Sequence, residues 1–345
     1  LRVFEHLDQD FGLDPAKVLD AAQQYAATPT VQTLKNLTSV AEPPRQELLR
    51  RLNRAPGGTA LIVQMRRQLL RVLPLHPQLA AVEADLFHLL SSWFNPGFLE
   101  MQQVDWNSPA QLLEKIIQHE AVHAIDGWDD LRRRLQPDRR CFAFFHPQLP
   151  AEPLIFVEIA LVPQMPAAIA PLIEKAAHPV EPKHFKVATF YSISNCQPGL
   201  RGVSLGNFLI KRVAERLHAE FPSIRTFCTL SPIPGFIRWL DEVNVEAAEL
   251  KPLQAKLQAA LNKLSHEKHT DPLAVSRNER DALLALASIY LILVSPTATG
   301  DPVAKFHLGN GARLQRINWA GDLSKNGLRQ SFGMMVNYLY DLAEI

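Results

Sequence analysis

The segment "SISNCQPGLRGVSLGNFLIKRV" (residues 192–213) decides the fold of the longer part of the chain. It begins as an extended apolar run, passes Gly199, Gly202 and Gly206, and continues as an amphipathic helix. Glycines at a strand-to-helix turn let backbone amides approach a phosphate, and the helix amino terminus adds positive partial charge. The spacing G-x-x-G-x-x-x-G is neither the dinucleotide fingerprint nor a P-loop, so ordinary turn geometry remains an equal alternative.

The region around this segment alternates short β-rich runs with helical patterns. The strand-like runs are 141–146, 153–162, 186–194 and 225–230. The helical patterns are 108–122, 205–221, 234–243, 248–264 and 278–294. Strands separated by helices predict an α/β or α+β domain, which we place at residues 96–345.

Residues 1–95 are predicted to be entirely helical. "DPAKVLDAAQQYAA" begins with Asp14 as an N-cap and Pro15 at the first helical position. Leucines recur at three- and four-residue spacing, which is typical of amphipathic helices packed in a bundle. The fold class is therefore α+β, a helical bundle followed by an α/β domain. We expect the bundle to serve oligomerisation, and a purely structural cap is the alternative.

Composition excludes several classes of protein. The chain has 345 residues, 47% of them hydrophobic, and a formal net charge of +1. Near-neutral charge argues against a nucleic-acid binder, and no apolar run approaches the roughly 20 residues needed to cross a bilayer. Three cysteines without a C-x-x-C pair indicate a reducing compartment. We predict a cytoplasmic protein, and a lost organellar presequence remains an alternative because the first residue is Leu1.

A second informative stretch is "TFCTLSPIPGFIRWL" (226–240). Proline fixes its own φ and pushes the preceding residue into extended backbone. Ser231 therefore ends a strand, and a helix is predicted to begin after Pro234-Gly235. A hydroxyl at the end of a strand suits binding or chemistry, although an ordinary turn is an equal alternative.

The third stretch is "KFHLGNGARLQRINWAGDLSKNGLRQSFGMMVNYLYDL" (305–342). His307 is predicted in an extended run before a glycine-rich turn, and residues 327–342 are predicted to form a closing helix. On a helix, Tyr338 and Tyr340 lie on different faces, so at most one of them would enter a site. Further pocket-lining candidates are Asn310, Asn318 and Trp319.

Two shorter motifs have mainly structural interpretations. "HEAVH" (119–123) matches the H-E-x-x-H zinc signature. We expect the helix to end near His123, and we predict no metal. "DDLRRRLQPDRR" (129–140) is predicted to be a solvated helix with mixed ion pairs, with binding of a phosphate by its arginines as the alternative.

Together these motifs resemble the malonyl-CoA decarboxylase family. The resemblance is carried, in the family's order, by residues 119–161, by "FYSISNCQPGLRGVSLGNFLIKRV", by "LSPIPGF" and by "KFHLGNGARLQRINW". The glycine loop, preceded by Gln197, also resembles the pyrophosphate-binding loop of the GNAT acetyltransferases. The resemblance implies a GNAT-like second domain, a homo-oligomer (dimer or tetramer) formed through the helical domain, and a role in fatty acid metabolism.

The same resemblance implies which residues act. Ser231 and His307 would be the catalytic pair, and the loop 201–207 would contact malonyl-CoA. The implied substrate-binding set also contains Asn310 and Tyr340 and, in that loop, Arg201, Gly202, Val203, Ser204, Leu205, Gly206 and Asn207. Family members carry an acidic residue at the position of Ser204, where it helps to orient the histidine, so that role would be lost or supplied elsewhere here. The resemblance implies no metal, biotin or other prosthetic group. Coenzyme A is not counted as a cofactor, since it is part of the substrate.

The chemistry fits these residue types. Loss of carbon dioxide leaves an enolate, which backbone amides of the glycine loop and of the helix start after Pro234 would stabilise. A histidine can deliver the proton, and Ser231 would orient the departing carboxylate rather than attack. A GNAT-type acyltransferase and a non-enzymatic scaffold are the alternatives.

Overall fold

The computed structural model describes residues 1–203, 205, 209–264, 271–297 and 300–341, which form two compact units. The first unit comprises Leu1–Glu100, Phe144–Leu154 and Cys196–Leu205, and the second comprises Met101–Ala143, Ile155–Asn195 and Gly206–Ile345. The boundary between residues 95 and 96 stays a prediction.

The first unit is built on amphipathic helices whose leucines form its core. The helices are α1 (Arg2–Gln9), α2 (Pro15–Ala27), α3 (Val31–Val40), α4 (Pro44–Asn53), α5 (Gly58–Val72) and α6 (Ala80–Trp93). Asp14 caps α2 by accepting hydrogen bonds from the amides of Ala16 and Lys17, as its sequence predicts. Leu49, Leu69 and Leu86 are almost fully buried. The predicted helical region is therefore confirmed.

The second unit is a mixed sheet with helices. Its strands are β1 (Glu100–Val104), β2 (Arg139–Phe145), β3 (Ile155–Val162), β4 (Val187–Asn195), β5 (Thr226–Thr229), β6 (Ser231–Pro232), β7 (Arg313–Asn318) and β8 (Met335–Tyr340). Its helices are α7 (Ala110–His119), α8 (Gly127–Arg134), α9 (Ala170–Ile173), α10 (Leu209–Glu220), α11 (Phe236–Glu242), α12 (Gln254–Leu261), α13 (Arg277–Ile289), α14 (Pro302–Gly309) and α15 (Lys325–Ser331). A π-helix, Tyr290–Val294, continues α13. Helical regions followed by a mixed-sheet domain confirm the α+β class.

The order of the strands brings distant parts of the chain together. The sheet runs β1-β2-β3-β4-β5-β8-β6, and β7 pairs with β8. β4 and β5 are parallel, whereas β8 is antiparallel to β5, β6 and β7. The last strand thus lies between the strand before Ser231 and the strand that contains it. This topology places the 305–342 stretch beside the 226–240 stretch.

Two predictions for the C-terminal stretch are wrong. His307 lies in helix α14, which begins with Asp301 as N-cap and Pro302 at its first position. The predicted closing helix is α15 followed by strand β8, because Phe332 and Gly333 both adopt positive φ and end the helix. The strand is buried on both faces, so its sequence does not alternate between polar and apolar residues.

The prediction of a solvated helix for residues 129–140 is also wrong. Arg133, Arg134 and Arg139 are all at most 3% exposed. Arg134 donates to Asp130 and Glu158 at 2.9 Å each. Arginines tolerate burial where carboxylates accept from their guanidinium groups. These side chains therefore form a buried ion network rather than a hydrated surface.

The cysteines and the lengths of the helices describe the environment of the chain. Cys141, Cys196 and Cys228 are all buried. Within the described ranges, the helices are too short or too polar to cross a bilayer.

Candidate active site

Ser231 lies where two prolines follow a buried strand. β5 ends at Thr229, and Ser231 pairs with Val336 of β8. The hydroxyl is 5% exposed, and its Oγ donates to Oγ1 of Thr229 at 2.9 Å. The helix predicted after Gly235 is α11, which begins at Phe236. The local prediction for this stretch is confirmed.

His307 meets Ser231 across 76 positions of sequence. The Nε2 atom of His307 is 3.0 Å from Oγ of Ser231. On the other side of the ring, Nδ1 is 2.8 Å from the hydroxyl oxygen of Tyr340. The histidine is 3% exposed. The structure thus brings together three of the predicted site residues, Ser231, His307 and Tyr340, in one buried hydrogen-bonded chain.

Both tyrosines of β8 contact this histidine, so the prediction that at most one of them would reach the site is wrong. Residues two apart share a face of a strand, whereas on a helix they would diverge. The Tyr338 ring stacks on His307 with centroids 4.7 Å apart, and the Tyr340 ring meets it edge-on at 6.0 Å. Sequence reasoning missed Tyr338 because it assigned the wrong secondary structure. It also missed Thr229, although Thr229 lies two residues before Ser231 on an extended run.

Burial controls the charge state of the cluster. It lowers the pKa of His307 to about 3, so the imidazole is neutral near pH 7. Burial raises the pKa of Tyr340 above its ordinary value, so the phenol keeps its proton. A neutral imidazole has one donor and one acceptor nitrogen. Because Ser231 donates to Thr229, the consistent arrangement has Nε2–H donating to Ser231 and the Tyr340 hydroxyl donating to Nδ1.

One amide predicted to stabilise an enolate has another partner. The Gly235 amide, at the start of α11, donates to Oδ2 of Asp301 at 3.1 Å. That donor is therefore not directed at a ligand, and a contribution from the other amides of this helix start stays a prediction.

Gly199 and Gly202 of the glycine loop lie in the first unit. A Cβ on Gly199 would lie 2.0 Å from the carbonyl oxygen of Val63, so this glycine allows close packing on α5. Arg66 donates to the Gly199 carbonyl at 2.8 Å. Gly202 has a φ of 84°, which favours glycine. Local packing and backbone conformation thus account for both glycines.

The remaining predicted residues fall in several places. Within the loop, Arg201 is exposed, and Val203 and Leu205 are buried. Ser204, Gly206 and Asn207 lie outside the described residues. Asn310 is the C-cap of α14, three residues after His307. Asn318 donates to Asn337 at 2.9 Å, and Trp319 packs on Phe332.

The H-E-x-x-H sequence does not form a helical pair of ligands. α7 ends at His119, earlier than predicted, so the two histidines are not one helical turn apart. Glu120 accepts hydrogen bonds from the amides of Val122 and His123 at 2.8 Å and from the Ser192 hydroxyl at 2.7 Å. In the part of the chain that the structure describes, no group of three or more His, Cys, Asp or Glu side chains is placed to hold a metal ion.

Comparison with known proteins identifies the family. A family model described as "Malonyl-CoA decarboxylase C-terminal domain" matches residues 97–345, and the corresponding N-terminal domain model matches residues 11–94. The chain belongs to the malonyl-CoA decarboxylase family. The resemblance inferred from the motifs is confirmed, and membership of this family makes the chain a decarboxylase.

Individual relatives agree along almost the whole chain. The mitochondrial malonyl-CoA decarboxylase of Anser anser anser is 35% identical over 372 residues, covering 98% of this chain and 73% of the relative. The crystal structure of malonyl-CoA decarboxylase from Rhodopseudomonas palustris has a TM-score of 0.89 and 49% identity, covering 99% of this chain and 84% of that one. The enzyme from Agrobacterium vitis has a TM-score of 0.81 and 44% identity, covering 100% and 84%.

Proposed function

We propose that this decarboxylase converts malonyl-CoA to acetyl-CoA and carbon dioxide. The observation that carries the proposal is the buried contact of 3.0 Å between Ser231 and His307, with Tyr340 on the second ring nitrogen. This hydrogen-bonded chain can orient a carboxylate and move a proton, the two tasks that the reaction requires. Membership of the family supplies the substrate.

The reaction breaks one carbon–carbon bond and forms one carbon–hydrogen bond. The bond between C2 of the malonyl group and its carboxylate breaks, and its electron pair enters the thioester as an enolate. Carbon dioxide leaves, and one proton from the enzyme then adds to C2. Water then returns a proton to the enzyme. The electron pair of the broken bond stays on C2 and forms the new carbon–hydrogen bond, so the reaction consumes no oxidant or reductant.

We assign proton delivery to the His307 chain. The neutral ring holds its proton on Nε2, and a thioester enolate is a much stronger base than an imidazole. As Nε2 loses its proton, the Tyr340 hydroxyl can supply one to Nδ1, so the ring stays neutral and the negative charge of the enolate passes to the Tyr340 oxygen until water reprotonates it. Burial raises the pKa of this phenol, but the enolate is a stronger base still, so the transfer remains favourable. This role needs no protonated imidazolium, which the burial of His307 disfavours.

Ser231 is proposed to hold the substrate carboxylate rather than to attack it. Without substrate its proton points to Thr229 and its oxygen accepts from His307, so the histidine does not act as a base toward the hydroxyl. To hold the carboxylate, the hydroxyl rotates its one proton from Thr229 to the substrate. The flanking sequence also lacks the G-x-S-x-G elbow of serine nucleophiles. Turning the carboxylate out of the thioester plane aligns the breaking bond with the carbonyl π system.

We further propose that residues 201–207 bind the coenzyme A portion and that their amides stabilise the enolate, as the resemblance implies. Asn310 is proposed to line the substrate site. His307 does not need the acidic residue that Ser204 replaces in the sequence, because the Tyr340 hydroxyl satisfies its Nδ1. We propose that the reaction needs no metal or prosthetic group and that it controls malonyl-CoA levels in fatty acid metabolism.

The helical unit is proposed to form a dimer or tetramer. Leu19, Val31 and Leu34 on α2 and α3 are 60%, 72% and 46% exposed, and apolar side chains at this exposure favour association. Light scattering of wild type and of a Leu19→Gln/Leu34→Gln variant tests this, since a monomeric wild type would contradict it. The cytoplasmic location stays a prediction, and the Anser relative is named as mitochondrial.

Release of labelled carbon dioxide from malonyl-CoA tests the function. Wild type should release it in step with acetyl-CoA, and Ser231→Ala and His307→Ala should lower turnover by at least about 100-fold. Calorimetric titration with acetyl-CoA should show nearly unchanged affinity in both variants. Acetyl transfer to an amine without carbon dioxide release would instead favour the acyltransferase, and no turnover of any acyl-CoA would favour a scaffold.

A further inference from the structure

Asp301 connects the two segments that carry Ser231 and His307. It is 0% exposed and precedes Pro302 at the start of α14. Its Oδ1 accepts from the amides of Val303 and Ala304 at 3.0 Å each, which caps the helix. A cap needs only one side-chain oxygen, so the second oxygen needs a separate explanation.

The second oxygen binds the serine segment. Oδ2 accepts from the Gly235 amide at 3.1 Å, and the Tyr290 hydroxyl also hydrogen-bonds to this carboxylate. Gly235 itself fits closely here, because a Cβ at this position would lie 2.2 Å from the Tyr290 hydroxyl oxygen. One buried carboxylate thus accepts from two segments that are 66 positions apart.

The backbone is stiff between the Asp301 carboxylate and each of the two side chains, Ser231 and His307. Ser231 is separated from Gly235 by Pro232, Ile233 and Pro234, and each proline fixes its φ. His307 lies in the same helix that Asp301 caps. Fixing the Gly235 amide and the start of the helix to one carboxylate therefore limits how far Oγ of Ser231 can move from Nε2 of His307.

We propose that Asp301 is a positioning residue that sets the Ser231–His307 distance and thereby the turnover of the enzyme. It acts through the backbone of both segments and touches neither the imidazole nor the substrate. The proposal rests on the proposed decarboxylation. A displacement of about 1 Å in a reacting group can lower a rate about 100-fold, so loss of this connection has a measurable effect without loss of the fold.

The variant Asp301→Asn separates capping from connection. Asparagine caps a helix as well as aspartate does, so the bonds to Val303 and Ala304 are retained. Its second atom is an amide nitrogen, which cannot accept from Gly235. Asp14→Asn is the matched control, because Asp14 also precedes a proline and caps α2 with one oxygen, which accepts from the next two amides.

The expected result is a split between kinetic constants. Asp301→Asn should lower kcat for carbon dioxide release about 10- to 100-fold, with KM and acetyl-CoA affinity unchanged. Its melting temperature should lie below that of Asp14→Asn, because the buried Gly235 donor loses its acceptor, so kcat is compared at a temperature where both variants are folded. Asp14→Asn should keep wild-type kcat. Tyr290→Phe, which leaves the Gly235 bond in place, should lower kcat much less than Asp301→Asn.

Several results would overturn the inference. A kcat of Asp301→Asn within twofold of wild type would show that the connection has no role. If Asp301→Asn and the single-oxygen cap Asp301→Ser both fail to fold, the carboxylate serves stability alone. The same conclusion follows if kcat falls only at temperatures where the variant begins to unfold. If the wild type releases no carbon dioxide from malonyl-CoA, the proposed function is overturned. That result differs from failure of the role of Asp301, in which the wild type is active and Asp301→Asn is equally active.

Discussion

Two buried polar clusters in the second unit differ in charge. The Ser231–His307–Tyr340 chain consists of neutral groups linked in a row. The cluster around Arg134 is centred on a permanently charged guanidinium that donates to Asp130 and Glu158, and burial raises the pKa of Glu158 to about 8. A neutral chain can pass a proton along, whereas a closed ion network holds its charges in place. We therefore expect the first cluster to govern turnover and the second to govern stability.

The largest expected effect is on the ion network. Arg134→Ala leaves Glu158 and Asp130 buried without their cation, which should lower the free energy of unfolding by about 3–5 kcal/mol. Denaturant unfolding measures it. The control replaces all three groups, with Arg134→Met, Glu158→Leu and Asp130→Asn, and should recover most of that loss. Wild-type stability in Arg134→Ala would show that the network is not closed.

The next effect separates the two tyrosines. Tyr340→Phe removes the hydroxyl that donates to Nδ1 and should lower turnover about 100-fold, the low end of the range for lost proton-transfer groups. Tyr338→Phe keeps the stacked ring and should remain close to wild type. Steady-state carbon dioxide release compares the pair, and equal losses in both variants would contradict the proposed hydrogen-bonded chain.

The pH dependence of stability provides a third comparison. The folded pKa of His307, about 3, lies below the unfolded value of 6.5, so the unfolded state binds more protons between these values. Its contribution is fully present above pH 6.5 and is lost as the pH falls. From pH 7 to pH 5 the wild type should lose about 2 kcal/mol through this residue.

The matched variant for that experiment is His307→Gln, which does not titrate. Its free energy of unfolding should fall less steeply over the same pH interval. Burial also lowers the pKa of His123 to about 4, so part of the acid sensitivity remains in the variant. Identical pH profiles for the two proteins would show that His307 is not held neutral.

The smallest expected effect concerns metal. Because Glu120 accepts hydrogen bonds from its own turn and from Ser192, we expect the H-E-x-x-H sequence to be structural. Treatment with a chelator should leave turnover unchanged, and elemental analysis should find no stoichiometric zinc. Zinc at one equivalent, with activity lost on chelation, would reverse this interpretation.

Local signals in the sequence predicted much of this fold. The same Asp-Pro pattern begins α2 and α14, yet it was recognised at Asp14 and missed at Asp301. The glycine-rich turn after His307 suggested an extended run and outweighed the helix signal. β8 was missed because a strand buried on both faces has no alternating pattern. The burial of Arg134 could not be predicted, since Arg134 ends helix α8 and its partner Glu158 lies in strand β3.

The site shows the same limit. Ser231 and His307 were identified through the resemblance to the family, but their contact depends on strand order, which no local pattern contains. The packing of Tyr338 against the ring follows from the strand that replaced the predicted helix. Contacts between side chains that are distant in the sequence can therefore be identified only once the fold is known.

The central claim is that a neutral chain of Ser231, His307 and Tyr340 performs decarboxylation. The most direct measurement is labelled carbon dioxide release from malonyl-CoA by wild type and His307→Ala, with acetyl-CoA affinity measured on the same preparations. The account predicts release by wild type, a loss of at least about 100-fold in the variant, and equal affinity. Near-normal release by His307→Ala at equal affinity would contradict it.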